Sequence, residues 1–179
     1  MNGYFVLAPL SGPAVDLIRA VHEAHDPRLA GSSAPHVTMA GSSGVGPIPL
    51  DTPLERIRAA LEPIGRETAP ITASLGRPER FMQTDIVVLP MDPHGPIRAL
   101  HERIARSGLP FLPVRFTFTP HVTLSFYPTL TAAARRKLLA IRVDEPALIE
   151  RIEVYRTVDP MPARKVVGVE LSGPRRPAA

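Results

Sequence analysis

The pattern Pro-His-Val-Thr plus an apolar residue occurs twice, at Pro35-His36-Val37-Thr38-Met39 and at Pro120-His121-Val122-Thr123-Leu124. On a β-strand successive side chains face opposite ways, so His36 and Thr38 share a face, as do His121 and Thr123. Val37 and Met39, or Val122 and Leu124, then point the other way, into a core. A proline before each histidine fixes the entry to the strand and removes a ladder donor there. One such segment would carry little weight, because threonine favours strands and a lone histidine is usually structural. Two copies, flanked alike, constrain the chain to fold as two matching halves, each presenting His and Thr from a strand.

The periodicity between them agrees. Tyr4 to Leu10 has a strand pattern, and Pro13 opens a helix to about Ala24 with Leu17, Ile18, Val21 and Ala24 as its stripe. After Gly31-Ser32-Ser33 comes the strand His36 to Ala40, then a Gly-, Ser- and Pro-rich loop from Gly41 to Pro49. Leu54, Ile57, Leu61 and Ile64 mark a second helix, with Asp51 or Thr52 as its N-cap. Strands are expected at Ile71 to Leu75 and Asp85 to Met91, and a helix from Pro96 to Ser107 ending at Gly108. Phe116 to Tyr127 reads as strand, interrupted or restarted at Pro120. A helix from Leu130 to Ile141 and strands at Ile149 to Thr157 and Lys165 to Leu171 complete the order. Each half thus holds a strand, a helix, a His-x-Thr strand, a second helix and further strands, which predicts an α+β fold of two similar, interleaved lobes. Outside the two motifs the halves show little residue identity.

A chain of 179 residues fits one such domain, expected over 1–173, with 174–179 as a disordered tail. It contains no cysteine, which removes disulfides, thiolate metal sites and cysteine nucleophiles. The apolar run Phe5 to Leu10 contains Pro9 and is too short for a signal sequence or membrane span, so a cytoplasmic protein with no membrane partner is expected. Net charge is +4, carried almost wholly by arginine, with Lys137 and Lys165 as the lysines. That balance permits a polyanionic substrate without demanding one.

Histidine has an ordinary pKa near ~6.5, so it takes or gives a proton close to neutrality. Two histidines flanking one phosphodiester allow His36 and His121 to act as an acid–base pair. The Thr38 and Thr123 hydroxyls can donate to the phosphate oxygens. Such chemistry needs no metal and no cofactor. Which histidine is acid and which is base stays open.

These motifs, their separation and the order of elements resemble the 2H phosphoesterase superfamily, in its 2′-5′ RNA ligase and cyclic phosphodiesterase branch. The resemblance spans roughly Tyr4 to Leu171, with Phe118-Thr119-Pro120-His121-Val122-Thr123-Leu124 as its most specific stretch. It implies a bilobal fold in which antiparallel sheets line a central cleft, helices lie outside, and each lobe supplies one His-x-Thr. It also implies metal-free hydrolysis of 2′,3′-cyclic phosphates on nucleotides or RNA ends, commonly to the 2′-phosphate, with His36 and His121 as acid and base and Thr38 and Thr123 as phosphate donors. Ser125 and Phe126 stand where RNA-processing relatives often carry a basic residue, and Ala40-Gly41-Ser42-Ser43-Gly44 replaces a bulky apolar run. Both departures bear on the substrate more than on the reaction.

Other candidates are weaker. His22 and His25, three apart on the first helix, lack an HExxH pattern and read as edge or surface residues, as do His94 and His101. Glu150 and Glu153 fall on an expected edge strand without an acid–base partner. The glycine-rich loop after Ala40 reads as a flexible connection before a phosphate cradle, and Phe5 and Tyr127 as core aromatics before base platforms. Three functions compete: hydrolysis of a cyclic or 2′-5′ phosphodiester by a monomer, a non-catalytic RNA- or nucleotide-binding module, and 2′-5′ RNA end joining. Two complete motifs favour catalysis over binding. Water at ~55 M, with no activating nucleotide, favours hydrolysis over joining.

Overall fold

A computed structural model of the chain describes residues 2–81, 84–126, 131–159 and 161–174. Its elements run β1 (Gly3–Pro9), α1 (Pro13–His25), α2 (Pro27–Ala30), β2 (His36–Ala40), α3 (Leu54–Glu67), β3 (Ile71–Ala73), β4 (Glu79–Arg80), β5 (Val87–Pro90), α4 (Pro96–Ala105), β6 (His121–Ser125), α5 (Ala132–Leu139), β7 (Ala147–Ile149), β8 (Arg151–Val158) and β9 (Met161–Glu170). All strand pairs are antiparallel. They form a four-stranded sheet β2-β1-β8-β9, a three-stranded sheet β4-β5-β6 and the pair β3-β7. The expected α+β class is therefore found, as helices and antiparallel sheets around one core.

The two halves follow the same element order, except that α2 and β9 have no counterpart. β1, α1, β2, α3 and β3 correspond in order to β5, α4, β6, α5 and β7. Both first helices open with Gly-Pro, at Gly12-Pro13 and Gly95-Pro96, where the missing proline donor costs nothing. The halves are interleaved at their ends. β4 pairs with β5 as its sequence neighbour, whereas its counterpart β8 reaches β1 from the far end of the chain. β3 and β7 pair with each other, Ile71 opposite Ile149.

One hydrophobic cluster runs through both halves. Val6, Ala8, Val37, Met39, Ile152 and Val154 from the first sheet join Leu89, Val122 and Leu124 from the second, with Ile57 and Leu61 of α3 and Leu100 and Ile104 of α4. α1 packs on β6 and α4 on β2, so each half's first helix backs the other half's His-x-Thr strand.

Three expectations need correction. The strand expected from Phe116 begins at His121, because Pro120 has no donor and the Phe118 carbonyl is taken by Arg98 Nη2 at 3.0 Å. α3 is capped by Pro53, whose carbonyl accepts from Arg56 and Ile57, with no side-chain cap from Asp51 or Thr52. β8 lies inside its sheet, so Glu153 is not on an edge. Tyr127, Leu130 and 175–179 lie outside the described residues.

Candidate active site

β2 and β6 are held by their neighbours in the same register. Pro9 stands opposite His36, Ala8 opposite Val37 and Leu7 opposite Thr38. Pro90 stands opposite His121, Leu89 opposite Val122 and Val88 opposite Thr123. The register then slips by one residue in both pairs, so that Val6 meets Ala40 and Val87 meets Ser125. The slip turns Ala40 and Ser125 inward beside Met39 and Leu124, giving both strands the same burial sequence. Strict alternation would have left Ala40 and Ser125 on the histidine face. The match extends past the strands: Leu10 N–H donates to the Pro35 carbonyl at 2.9 Å, and Met91 N–H to that of Pro120 at 3.0 Å.

Each histidine carries the same latch. His36 Nδ1 lies 2.7 Å from the Ala34 carbonyl and His121 Nδ1 2.7 Å from the Thr119 carbonyl. A carbonyl only accepts, so Nδ1 bears the proton in both rings, and Nε2 is left as the group that gains or loses one. Burial lowers the pKa of His36 below its ordinary 6.5, the Ala34 bond opposing and charge on His121 or His22 adding to the effect. Charge on His121 is thus felt at His36 and works against its protonation. Burial likewise lowers His121, but the Thr119 carbonyl and the Glu79 carboxylate pull it back up. Both rings are therefore mostly neutral at pH 7. The Thr38 and Thr123 hydroxyls, half-buried on the same faces as the histidines, make no hydrogen bond among the described residues. Their donors are available to a ligand.

Several neighbours were not legible in the sequence. The Phe81 ring lies 4.5 Å from that of His121, centroid to centroid. Glu79 follows Thr123 and Val88 across the second sheet. His22 and His101, read as edge or surface residues, are buried and cross between the halves. His22 Nε2 donates to the Thr123 carbonyl at 2.8 Å, and His101 Nδ1 to the Met39 carbonyl at 2.7 Å, with its ring stacked on Phe118 at 3.8 Å. Asp26 caps α2 through Leu29 N–H and also accepts from Phe126 N–H at 2.7 Å, pinning the end of β6. His25 is half-buried and His94 exposed. No motif marks these contacts, because partners 62 to 101 residues apart meet only in the folded chain.

The glycine-rich loop is not a free cradle. The amides of Gly41, Gly44, Val45 and Gly46 donate to the carbonyls of Val45, Phe116, Ser43 and Leu112. Among the described residues no three His, Asp or Glu side chains group so as to hold a metal ion. No helix among them is long and apolar enough to cross a membrane.

Comparison with known proteins follows the same lines. The family model of the 2′-5′ RNA ligase superfamily matches residues 8–159. No curated protein matches the chain in sequence. Among solved structures, TT0787 of Thermus thermophilus superposes with a TM-score of 0.64 at 19% identity, covering 98% of this chain and 100% of that one. E. coli LigT complexed with 3′-AMP gives 0.60 at 16% identity, and LigT complexed with NADP+ gives 0.59 at 18%, each covering 96% of this chain and 98% of the other. At these identities the likeness is one of fold.

Proposed function

The chain belongs to the 2′-5′ RNA ligase superfamily, and from that premise we propose that it is a phosphodiesterase opening 2′,3′-cyclic phosphate, or a 2′-5′ linkage, on nucleotides or RNA ends by two-histidine acid–base catalysis without a metal. The observation that carries this reading is the duplicated latch: both rings have Nδ1 committed to a carbonyl and Nε2 free, each beside a threonine hydroxyl with no protein partner among the described residues.

In this reading the phosphate sits between the two strands, its non-bridging oxygens accepting from Thr38 and Thr123. One histidine, neutral at Nε2, takes a proton from water as the water oxygen bonds to phosphorus. The other, protonated at Nε2, gives its proton to the ribose oxygen as the phosphorus–oxygen bond breaks. A 2′-phosphate and a free 3′-hydroxyl result when the 3′ oxygen leaves. The two rings end with exchanged protonation states and reset through solvent. Acid–base assistance of this kind contributes roughly 10²–10⁴-fold. Repulsion between the rings disfavours charging both at once, and the negative charge of a bound phosphate stabilises the single imidazolium this requires.

The test is turnover of 2′,3′-cyclic AMP, an RNA with a cyclic phosphate end and a 2′-5′ dinucleotide, with EDTA present. Hydrolysis of at least one is expected. Inactivity on all three would put the binding-module reading ahead. Loss of activity on adding EDTA would sink the metal-free mechanism.

A further inference from the structure

Glu153 lies on the face of the first sheet that carries His36 and Thr38, because Thr38 stands opposite Leu7 and Leu7 opposite Glu153. Its side chain is 5% exposed. Its oxygens take three donors: Arg151 Nε at 2.9 Å and Lys165 Nζ at 2.7 Å on Oε1, and the Tyr155 hydroxyl at 2.9 Å on Oε2. Burial works to raise the Glu153 pKa, but the bonds from Lys165, Arg151 and Tyr155 hold it below its ordinary value. Tyr155 is pushed up to about 12 by burial and by Glu153, so its hydroxyl keeps its proton.

The acid is buried, yet its cations are not. The Lys165 side chain is 51% exposed and that of Arg151 38%. Arg151 commits only Nε, so its terminal nitrogens and the remaining Lys165 donors have no hydrogen-bond partner among the described residues. Lys165 reaches this place across Gly168, where a Cβ would sit 3.6 Å from its Cε. Glu170, opposite Arg151 on β9, and Glu150 temper the field at the arginine end. Lys165 faces Tyr155 instead.

Leu7 stands directly between Glu153 and Thr38, and an aromatic pair lies two residues along on the same face. Phe5 stands opposite Tyr155, and its ring crowds Gly41 so closely that a Cβ there would meet it at 2.4 Å and the Thr38 methyl at 3.1 Å. Thr38 and Glu153 are two strand spacings apart, roughly 10 Å. A cyclic mononucleotide with its phosphate on Thr38 has no second anion to place there.

We infer that Lys165, held on the buried Glu153 and flanked by Arg151, forms a second phosphate subsite for the neighbouring phosphodiester of a polynucleotide, with Phe5 and Tyr155 beside the intervening nucleoside. The subsite rests on the function proposed above and narrows it to RNA ends. A flexible cation would lose conformational freedom on binding a phosphate; one already tethered to a carboxylate loses less. At the matching place in the second sheet, Glu79 is exposed and makes no ion pair among the described residues, so only the first sheet offers this cationic surface there.

The test compares kcat/KM for a short RNA ending in a 2′,3′-cyclic phosphate with kcat/KM for 2′,3′-cyclic AMP, in the full chain and in Lys165→Met and Lys165→Arg. Lys165→Met should lower the RNA-to-mononucleotide ratio roughly tenfold or more, and Lys165→Arg should restore most of it. In parallel, anisotropy of a fluorescein-labelled oligoribonucleotide should show weaker binding and a shallower salt dependence for Lys165→Met. An unchanged ratio with unchanged binding overturns the subsite, as does an equal loss on both substrates, which marks a structural role. If the wild type turns over neither substrate but Lys165→Met still weakens oligonucleotide binding, the catalytic reading fails and the subsite stands.

Discussion

The two His-x-Thr strands share one backbone plan and differ in their electrical surroundings. Register, slip and latch repeat between β2 and β6. Around His36 the charges that matter are other histidines, His121 and His22, and both disfavour its protonation. Around His121 there is the Glu79 carboxylate, which favours it. A two-histidine mechanism needs equivalent geometry, so that both Nε2 atoms reach one phosphate, and unequal affinity for the proton, so that one ring is acid while the other is base. Duplication gives both rings the same strand register and the same Nδ1 bond. Glu79 on β4 beside His121, and His22 on α1 beside His36, make their surroundings unequal.

The largest effects should break the equivalence outright. His36→Ala and His121→Ala should each lower kcat by roughly 10²–10⁴-fold while thermal melts stay near wild type. A normal rate in either would end the pairing. Next come the phosphate donors: Thr38→Val and Thr123→Val should each cost on the order of 10²-fold in kcat. Comparable losses would support equal roles, whereas a loss in one alone would show that a single threonine carries the phosphate.

The crossed histidines can be broken separately. His22→Leu leaves the Thr123 carbonyl unpaired, and His101→Leu that of Met39, each costing about 1–3 kcal/mol in denaturant unfolding. Burial lowers the folded-state pKa of His22, His36, His101 and His121. The unfolded chain, with histidines near ~6.5, therefore binds protons first as pH falls. Stability from these four groups is complete above about pH 6.5 and drains away below it. The melting temperature should fall on going from pH 8 to pH 5, and a flat profile over that range would contradict the burial of these rings. Smallest of all is Glu79→Gln, which removes the charge supporting His121. The pH–rate limb belonging to His121 should move to lower pH. If the acidic limb moves, His121 is the base; if the alkaline limb moves, it is the acid.

Much of the skeleton was written locally. Alternation across His36 to Ala40 gave β2 its bounds, and the stripe of Ile57, Leu61 and Ile64 gave α3 its buried face. The slips after Thr38 and Thr123 left no local signature, since a one-residue excess exists only relative to a partner strand. Glu153 read as an unpartnered edge carboxylate because Lys165, twelve residues on, returns to it only once β8 and β9 pair. Phe81 and Glu79 sit in a stretch with little periodicity, and nothing local aims them at His121.

By itself the sequence determined the chemistry available: two proton carriers and two hydroxyls, spaced two residues apart so that a strand puts each pair on one face. It determined too that these come in duplicate, with helices and strands in matching order. The tertiary structure alone decided how they differ. Which carboxylate approaches which ring, which histidines cross between halves, and that a lysine from the last strand stands on the face of Thr38 all follow from pairing between residues far apart in the chain. Side-chain period is a local property of the backbone, whereas electrostatic environment is set by whatever the fold brings alongside.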